Sequence, residues 1–375
     1  MVENIKHNSL YPTGALIPFV SRQVNLDIGF DSDDISVSSL HQARLRLVLN
    51  ILNSSGTTVI SRPTIAWISN YTLVCVYKLG ENRTKTTTYS AQVGRGETGF
   101  LYSILNRSSS NTAQQNYPEV LQPRTITGQT TEESIPLMYL LDIAATDRWL
   151  PLLKMQLQLT FEGQSDIFFS STVDPVNTLQ VQIASYNIEF PSAMATPYLD
   201  RALMYPDHRK TFNQKDSLLV GKQSITMPIS VSGKVLEVFY WFKRSAPSTT
   251  TTPAVFSFNP NPFSVVTNHQ INIAGHSYPL NPNYNSIFTA AGVEVGLSRH
   301  YDELLINVNK YNPQRNTFLD YVTWRDSLRI YSILMNDSAV TRATTLNLQI
   351  LLSQPITVAC EFNLAIRYVS EKASS

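Results

Sequence analysis

Apolar and polar residues alternate with period two over much of this chain. In KMQLQLTF, Met155, Leu157, Leu159 and Phe161 face one way, and Lys154, Gln156 and Gln158 the other. ARLRLVLNI repeats the pattern with Ala43, Leu45, Leu47, Leu49 and Ile51. TLNLQILL does so with Leu346, Leu348, Ile350 and Leu352, and ACEFNLAIRY with Cys360, Phe362, Leu364, Ile366 and Tyr368. Such alternation predicts strands with one face on a core and one on water. Antiparallel sheets produce it, whereas buried parallel strands are apolar on both faces. In TLQVQIASYNIEF the apolar set runs Leu179, Val181, Ile183 and then Tyr186, Ile188, Phe190. The phase flips near Ser185, which predicts a β-bulge or bend there. VLEVFYWF, Val235 to Phe242, is apolar on both faces and predicts a strand covered on both sides.

Helical spacing is scarce. The best candidate is SIPLMYLLDIAATDRW, with Ser134 as a cap, Pro136 in the first turn, and Leu137, Leu140, Leu141 and Ala144 on one face. A shorter helix is expected within NTFLDYVTW. Loops rich in Pro, Asn, Ser and Thr separate the strands, and RSAPSTTTTPAVFSFNPNP reads as a solvent-exposed tip. The expected fold class is all-β and sandwich-like, with a few short helices in loops.

The two halves of the chain resemble each other. Met155 and Leu346 lie 191 positions apart, and at that offset Leu157, Leu159 and Phe161 fall on Leu348, Ile350 and Leu352. Each block is followed by one more long strand, LQVQIASYNIEF in the first half and ITVACEFNLAIRYV in the second. The stretch PSAMATPYLDRALMYPDHRKTFNQKDS has charge, prolines and no strand period, and reads as a linker over about 191–216. The expected domains are 1–195 and 196–375, in keeping with a chain of 375 residues.

Composition narrows the function classes. Hydrophobic residues make up 43%, ample for packed cores, while charged residues are only 15% against a usual quarter. Net charge is +1, so no global field draws the chain to nucleic acid or anionic lipid. The two cysteines, Cys75 and Cys360, sit in apolar strand-like runs and read as buried free thiols rather than a disulfide framework. No apolar run approaches the length of a membrane-spanning helix. MVENIKHNSLYPTG has no apolar signal core, so secretion is not expected and the sequons at Asn53, Asn70, Asn82, Asn106 and Asn336 are discounted.

VGRGETGF holds Gly94, Gly96 and Gly99 at the G-x-G-x-x-G spacing of dinucleotide sites. That fingerprint needs a helix opening straight after it, but the apolar part, Phe100 to Leu105, breaks quickly into Ser and Asn. A glycine-rich turn between strands is the expectation. Of the six histidines, His7, His41, His208, His269, His276 and His300, none forms H-x-H or H-E-x-x-H. His269 and His276 are seven apart with no carboxylate between them, so no metal site is expected. The acidic run Asp31 to Asp34 lacks the glycine and terminal glutamate of a calcium loop and reads as a charged turn. There is no G-x-S-x-G elbow, and nothing singles out a carboxylate pair. The basic stretches FKR, Phe242 to Arg244, and DHRK, Asp207 to Lys210, are short and read as solvated charge. Catalytic, cofactor-binding and metal residues are therefore expected to be absent.

Two sandwich halves, each with a helical insertion before its last strand pair, resemble the double jelly-roll major capsid proteins of the adenovirus-hexon, large DNA virus and tailless membrane-containing phage lineage. The ending IYSILMNDSAVTRATTLNLQILLSQPITVACEFNLAIRYV resembles the family's ending, with Asn363 and Leu364 in the N-x-L core of the closing strand. INIAGHSYPLNPNYNSIF resembles the family's strand and turn before a Tyr-rich loop, with Ala274-Gly275 in the turn. LPLLKMQLQLTF and SITMPISVSGKVLEVFYWF resemble the strand after the first-half helix and the entry to the second jelly roll. The resemblance covers about two-thirds of the chain.

The resemblance implies two tandem jelly rolls and a structural role. Its members form homotrimers whose pseudo-hexagonal blocks tile an icosahedral shell. It implies self-association, then contacts with neighbouring trimers and with penton or minor capsid proteins, and no sequence-specific nucleic-acid binding. It implies a virion location, after assembly inside the host cell. The N-terminal segment, with Lys6 and His7, is expected to act as an inward arm. A receptor- or carbohydrate-binding sandwich is the alternative, and an enzyme on a jelly-roll scaffold the third reading.

Overall fold

The computed structural model describes residues 11–18, 23–30, 38–54, 56, 59–80, 83–91, 93–105, 124–126, 128–145, 149–170, 178–190, 209–218, 220–231, 233–244, 266–273, 275–279, 287–288, 294–295, 297–310, 321–326, 329–335, 346–357 and 359–369. The N-terminal arm, the acidic run Asp31 to Asp34 and most of the Ser/Thr-rich tip lie outside these residues. Two compact units are present, one of residues 1–100 with 123–207, the other of 101–122 with 208–375.

Eight strands make the two main sheets of the first unit. They are β1 (Tyr11–Pro18), β2 (Gln23–Gly29), β3 (Arg44–Asn53), β4 (Ile68–Gly80), β5 (Arg83–Ser90), β6 (Gln129–Pro136), β7 (Leu152–Phe161) and β8 (Leu179–Glu189). The second unit has β9 (Arg209–Leu218), β10 (Ser224–Ile229), β11 (Lys234–Arg244), β12 (Val266–Ile273), β13 (His276–Tyr278), β14 (Tyr331–Ile333), β15 (Leu346–Leu352) and β16 (Cys360–Val369). The sheet orders are β1-β8-β3-β6 and β2-β7-β4-β5, then β9-β16-β11-β14 and β10-β15-β12-β13. Every strand of the first unit's two main sheets thus has its counterpart eight strands later.

The pairing explains the architecture. β1 pairs with β8, β2 with β7, β3 with β6 and β4 with β5, all antiparallel. These pairs alone describe one long hairpin. The further pairs β8 with β3 and β7 with β4 roll that hairpin into two facing sheets. β9 to β16 repeat the scheme pair for pair. A rolled hairpin of eight strands in two sheets is a jelly roll, and this chain contains two.

The alternating residues point inward as the period requires. β7 is buried at Met155, Leu157, Leu159 and Phe161, and β3 at Leu45, Leu47, Leu49 and Ile51. In the second unit, Leu346, Leu348, Ile350 and Leu352 of β15 meet Val238, Tyr240, Phe242, Phe362, Leu364 and Ile366 of the opposite sheet. Each such side chain contributes roughly 1.5–3 kcal/mol by leaving water. The phase flip near Ser185 is a bulge: β8 pairs Ile183 with Leu49 but Ser185 with Val48. The unpaired extra residue returns Tyr186 and Ile188 to the core face. β7 and β15, the two halves' repeated blocks, hold equivalent places in their sheets. β11 is buried on both faces from Val235 to Lys243, as its sequence predicts. On its outer face Phe239 meets the Tyr102 ring edge-on at 6.4 Å. Glu237 pairs there with Arg367 at 2.9 Å.

Two helical expectations change, and one helix is unforeseen. Residues 134–149 do not form one helix. Ser134 to Pro136 finish β6, paired with β3, and only single turns follow at Leu137–Leu140 and Asp142–Ala144. Sheet pairing takes the residues that local spacing gave to a cap: Ser134 Oγ accepts a bond from Arg44 Nε rather than capping. A helix instead opens at the glycine motif, α1 (Arg95–Leu105). The longest helix among the described residues, α2 (Leu297–Lys310), is not foreseen from the sequence, whereas the short α3 (Tyr321–Asp326) overlaps the end of NTFLDYVTW. α1 and α2 occupy equivalent places, between the fifth and sixth strand of their jelly rolls.

Candidate functional site

The glycine motif does open a helix, yet its glycines face protein rather than ligand. Gly94, at φ +94°, turns the chain, and its N–H donates to Ser69 O at 3.0 Å. A Cβ on Gly96 would lie closer than 3.0 Å to the backbone oxygens of both Ile65 and Ile68. One on Gly99 would lie 3.0 Å from Tyr139 O and from Ile65 Cδ1. Residues Gly94 to Phe100 are all buried. The first turn carries Glu97, which suits the positive helix end and pairs with buried Arg62. Arg95 donates from Nε to Leu140 O at 2.7 Å and pairs with Asp142 at 2.9 Å. Every strand pairing among the described residues is antiparallel, so α1 is not the crossover of a βαβ unit. The spacing serves close helix packing.

The other sequence candidates disperse. Lys243 of FKR is buried and pairs with Glu361 at 3.2 Å, and Phe242 lies in the core. Arg209 and Lys210 begin β9, while Asp207, His208, Lys6 and His7 fall outside the described residues. His41 Nδ1 lies 2.9 Å from Ala144 O. His276 begins β13 and is exposed. Cys75 and Cys360 are buried free thiols, and burial pushes each up to about 12.

One group of chemistry-bearing residues does come together, inside the second jelly roll. His269 of β12 meets His300 and Glu303 of α2. β12 slips register between Val266 and Asn268, which puts His269 in phase with the in-facing Ile271 and Ile273. On α2, His300, Glu303, Leu304, Asn307 and Val308 follow helical spacing and form the buried face. Tyr240 Oη and His269 Nδ1 are 2.6 Å apart, and His269 Nε2 lies 3.6 Å from Glu303 Oε2. Glu303 Oε1 faces Arg299 Nε at 3.5 Å. His300 Nε2 lies 2.9 Å from Val266 O. The two imidazoles meet edge-on at 5.3 Å, and His300 meets Tyr331 at 5.1 Å. Desolvation pushes both histidines below their ordinary range, His300 well below. The sequence pairs His269 with His276, its neighbour in the chain; the fold pairs it with residues 31 and 34 positions on. The available signal was the His300-x-x-Glu303 spacing on an amphipathic helix, which becomes visible once α2 is recognised.

No protein-family model matches the chain, and no curated protein sequence matches it. Solved structures do resemble it. The Sputnik virophage structure aligns at a TM-score of 0.45 and 11% identity, covering 94% of this chain and 84% of the other. The mavirus major capsid protein aligns at 0.41 and 10%, covering 92% and 83%. The MCP of STIV, Sulfolobus Turreted Icosahedral Virus, aligns at 0.42 and 11%, covering 96% and 98%. On the strand order of its own two units, the chain is a double jelly roll.

Proposed function

We propose that this chain is a major capsid protein, with three copies forming a pseudo-hexameric block that tiles an icosahedral shell. The observation that carries the reading is the duplication itself. Two successive units share one strand order, and each inserts a helix between its fifth and sixth strand. Three such chains supply six equivalent units, so a threefold assembly gains near-sixfold packing with closed symmetry. The sequence resemblance of the C-terminal strands and the low charge, 15%, support the same reading, since weakly charged faces pack together with little repulsion. On this reading the jelly rolls are 1–195 and 196–375, joined by a linker over about 191–216. The partners are the chain itself, neighbouring trimers, and penton or minor capsid proteins, and the place is the virion after assembly inside the host cell. No reaction is assigned to it.

Light scattering on purified protein, with negative-stain images of the same peak, tests the proposal. The expected result is about three times the chain mass of 42.1 kDa and a hexagonal outline. A monomer at every concentration, with no hexagonal particles, overturns it and favours the binding-module alternative.

A further inference from the structure

We propose that His269, His300 and Glu303 bind one first-row divalent transition-metal ion inside the second jelly roll. The three residues come from two elements, and one donor atom from each lies within 4.8 Å of the others. His269 takes an in-facing place in line with Ile271 and Ile273, where an aliphatic residue would pack without polar cost.

The hydrogen bonds aim the donors. Val266 O can only accept, so His300 Nε2 carries the proton and Nδ1 keeps its lone pair. Tyr240 Oη can donate or accept. When it accepts from His269 Nδ1, His269 Nε2 presents a lone pair on the side of Glu303 Oε2. Arg299 holds the other carboxylate oxygen, Oε1, and leaves Oε2 turned to His269. Each of the three residues thus has an outer partner, Tyr240, Val266 O or Arg299, as metal ligands commonly do.

The donor set selects the ion class. Two nitrogens and one carboxylate oxygen suit zinc and its neighbours, whereas calcium and magnesium want oxygen alone and copper(I) wants sulfur. In a tetrahedral site with bonds of about 2.0–2.1 Å, donors sit roughly 3.3 Å apart. The 3.6 Å between His269 Nε2 and Glu303 Oε2 is already near that value. His269 and His300 are each at most 1% exposed. Such an ion would tie α2 to β12.

The test uses the full chain, purified through a tag without histidines. Zinc is added, the protein dialysed, and bound metal counted by mass spectrometry, with calorimetric titration of chelator-treated protein. The expected result is about one equivalent per chain and a melting temperature that rises with zinc and falls with chelator. H300Q and E303Q are each expected to weaken binding by roughly tenfold or more. Wild-type protein that holds under about a tenth of an equivalent, with an unmoved melting temperature, overturns the site and leaves a His–Glu hydrogen-bond network. Full binding by both folded variants overturns it too. If the variants fail to fold, cobalt(II) added to the wild-type chain decides. Visible d–d bands of a low-coordinate nitrogen and oxygen site support the proposal, and the spectrum of the hydrated ion refutes it.

Discussion

Replacing Gly96 by alanine puts a methyl group against two backbone carbonyls. On a free helix surface the change stabilises by about 1 kcal/mol, because alanine loses less backbone entropy than glycine. Here the new Cβ lies closer than 3.0 Å to the oxygens of Ile65 and Ile68, where ordinary contact begins near 3.4 Å. Neither oxygen sits on a side chain that could swing away, so α1 must lift or the Ile65–Ile68 backbone must shift. Overpacking of a tight core costs typically about 1–3 kcal/mol, and two rigid contacts at once place this site at or above the upper end. The expected net loss is about 2 kcal/mol or more, which for a unit of this size lowers the melting temperature by roughly 4–8 °C. Circular dichroism melts and urea titration of G96A against wild type measure it. G29A is the control: no atom lies within 4 Å of a Cβ at Gly29, and it is expected to melt within about 1 °C of wild type. A G96A protein as stable as wild type, or more so, refutes the packing account. If it also lost stabilisation by added phosphate or nucleotide, the motif would be an anion cradle after all.

Leu157→Ala and Leu348→Ala empty equivalent places in the two jelly rolls, β7 and β15, where both side chains are at most 1% exposed. Each is expected to cost about 2–5 kcal/mol by urea titration, and a loss under about 1 kcal/mol at either would contradict its core position. Glu237→Gln leaves the Arg367 guanidinium buried over the Tyr102 ring, 4.2 Å from its centroid, without its 2.9 Å carboxylate partner. The expected loss is about 3–5 kcal/mol, larger than for the paired change of Glu237 and Arg367 to methionine; equal losses would show that the charge is not what matters. The thiols of Cys75 and Cys360, held near 12, are expected to ignore a disulfide reagent at pH 8 in the native protein and both to react after unfolding. Fast labelling of either thiol before unfolding would contradict its burial. Because burial raises both thiols, thiolate stays scarce until the pH approaches 12.

What was legible in the sequence is what period two encodes. Met155 to Phe161, Leu346 to Leu352 and Leu45 to Ile51 declare their inner face locally, because alternate residues of a strand must take opposite sides. The flip at Ser185 announced a bulge for the same reason, and the match at an offset of 191 residues announced the duplication. What needed the tertiary structure is everything set by partners distant in sequence. Ser134 and Pro136 look like a helix start until β3 offers them a ladder, and the ladder wins. Gly96 looks like part of a phosphate loop until the Ile65 and Ile68 carbonyls occupy the space it vacates. His269 looks isolated until α2 brings His300 and Glu303 to it. Local pattern dictates which side of a strand is buried; only the rolled topology dictates what is buried against it.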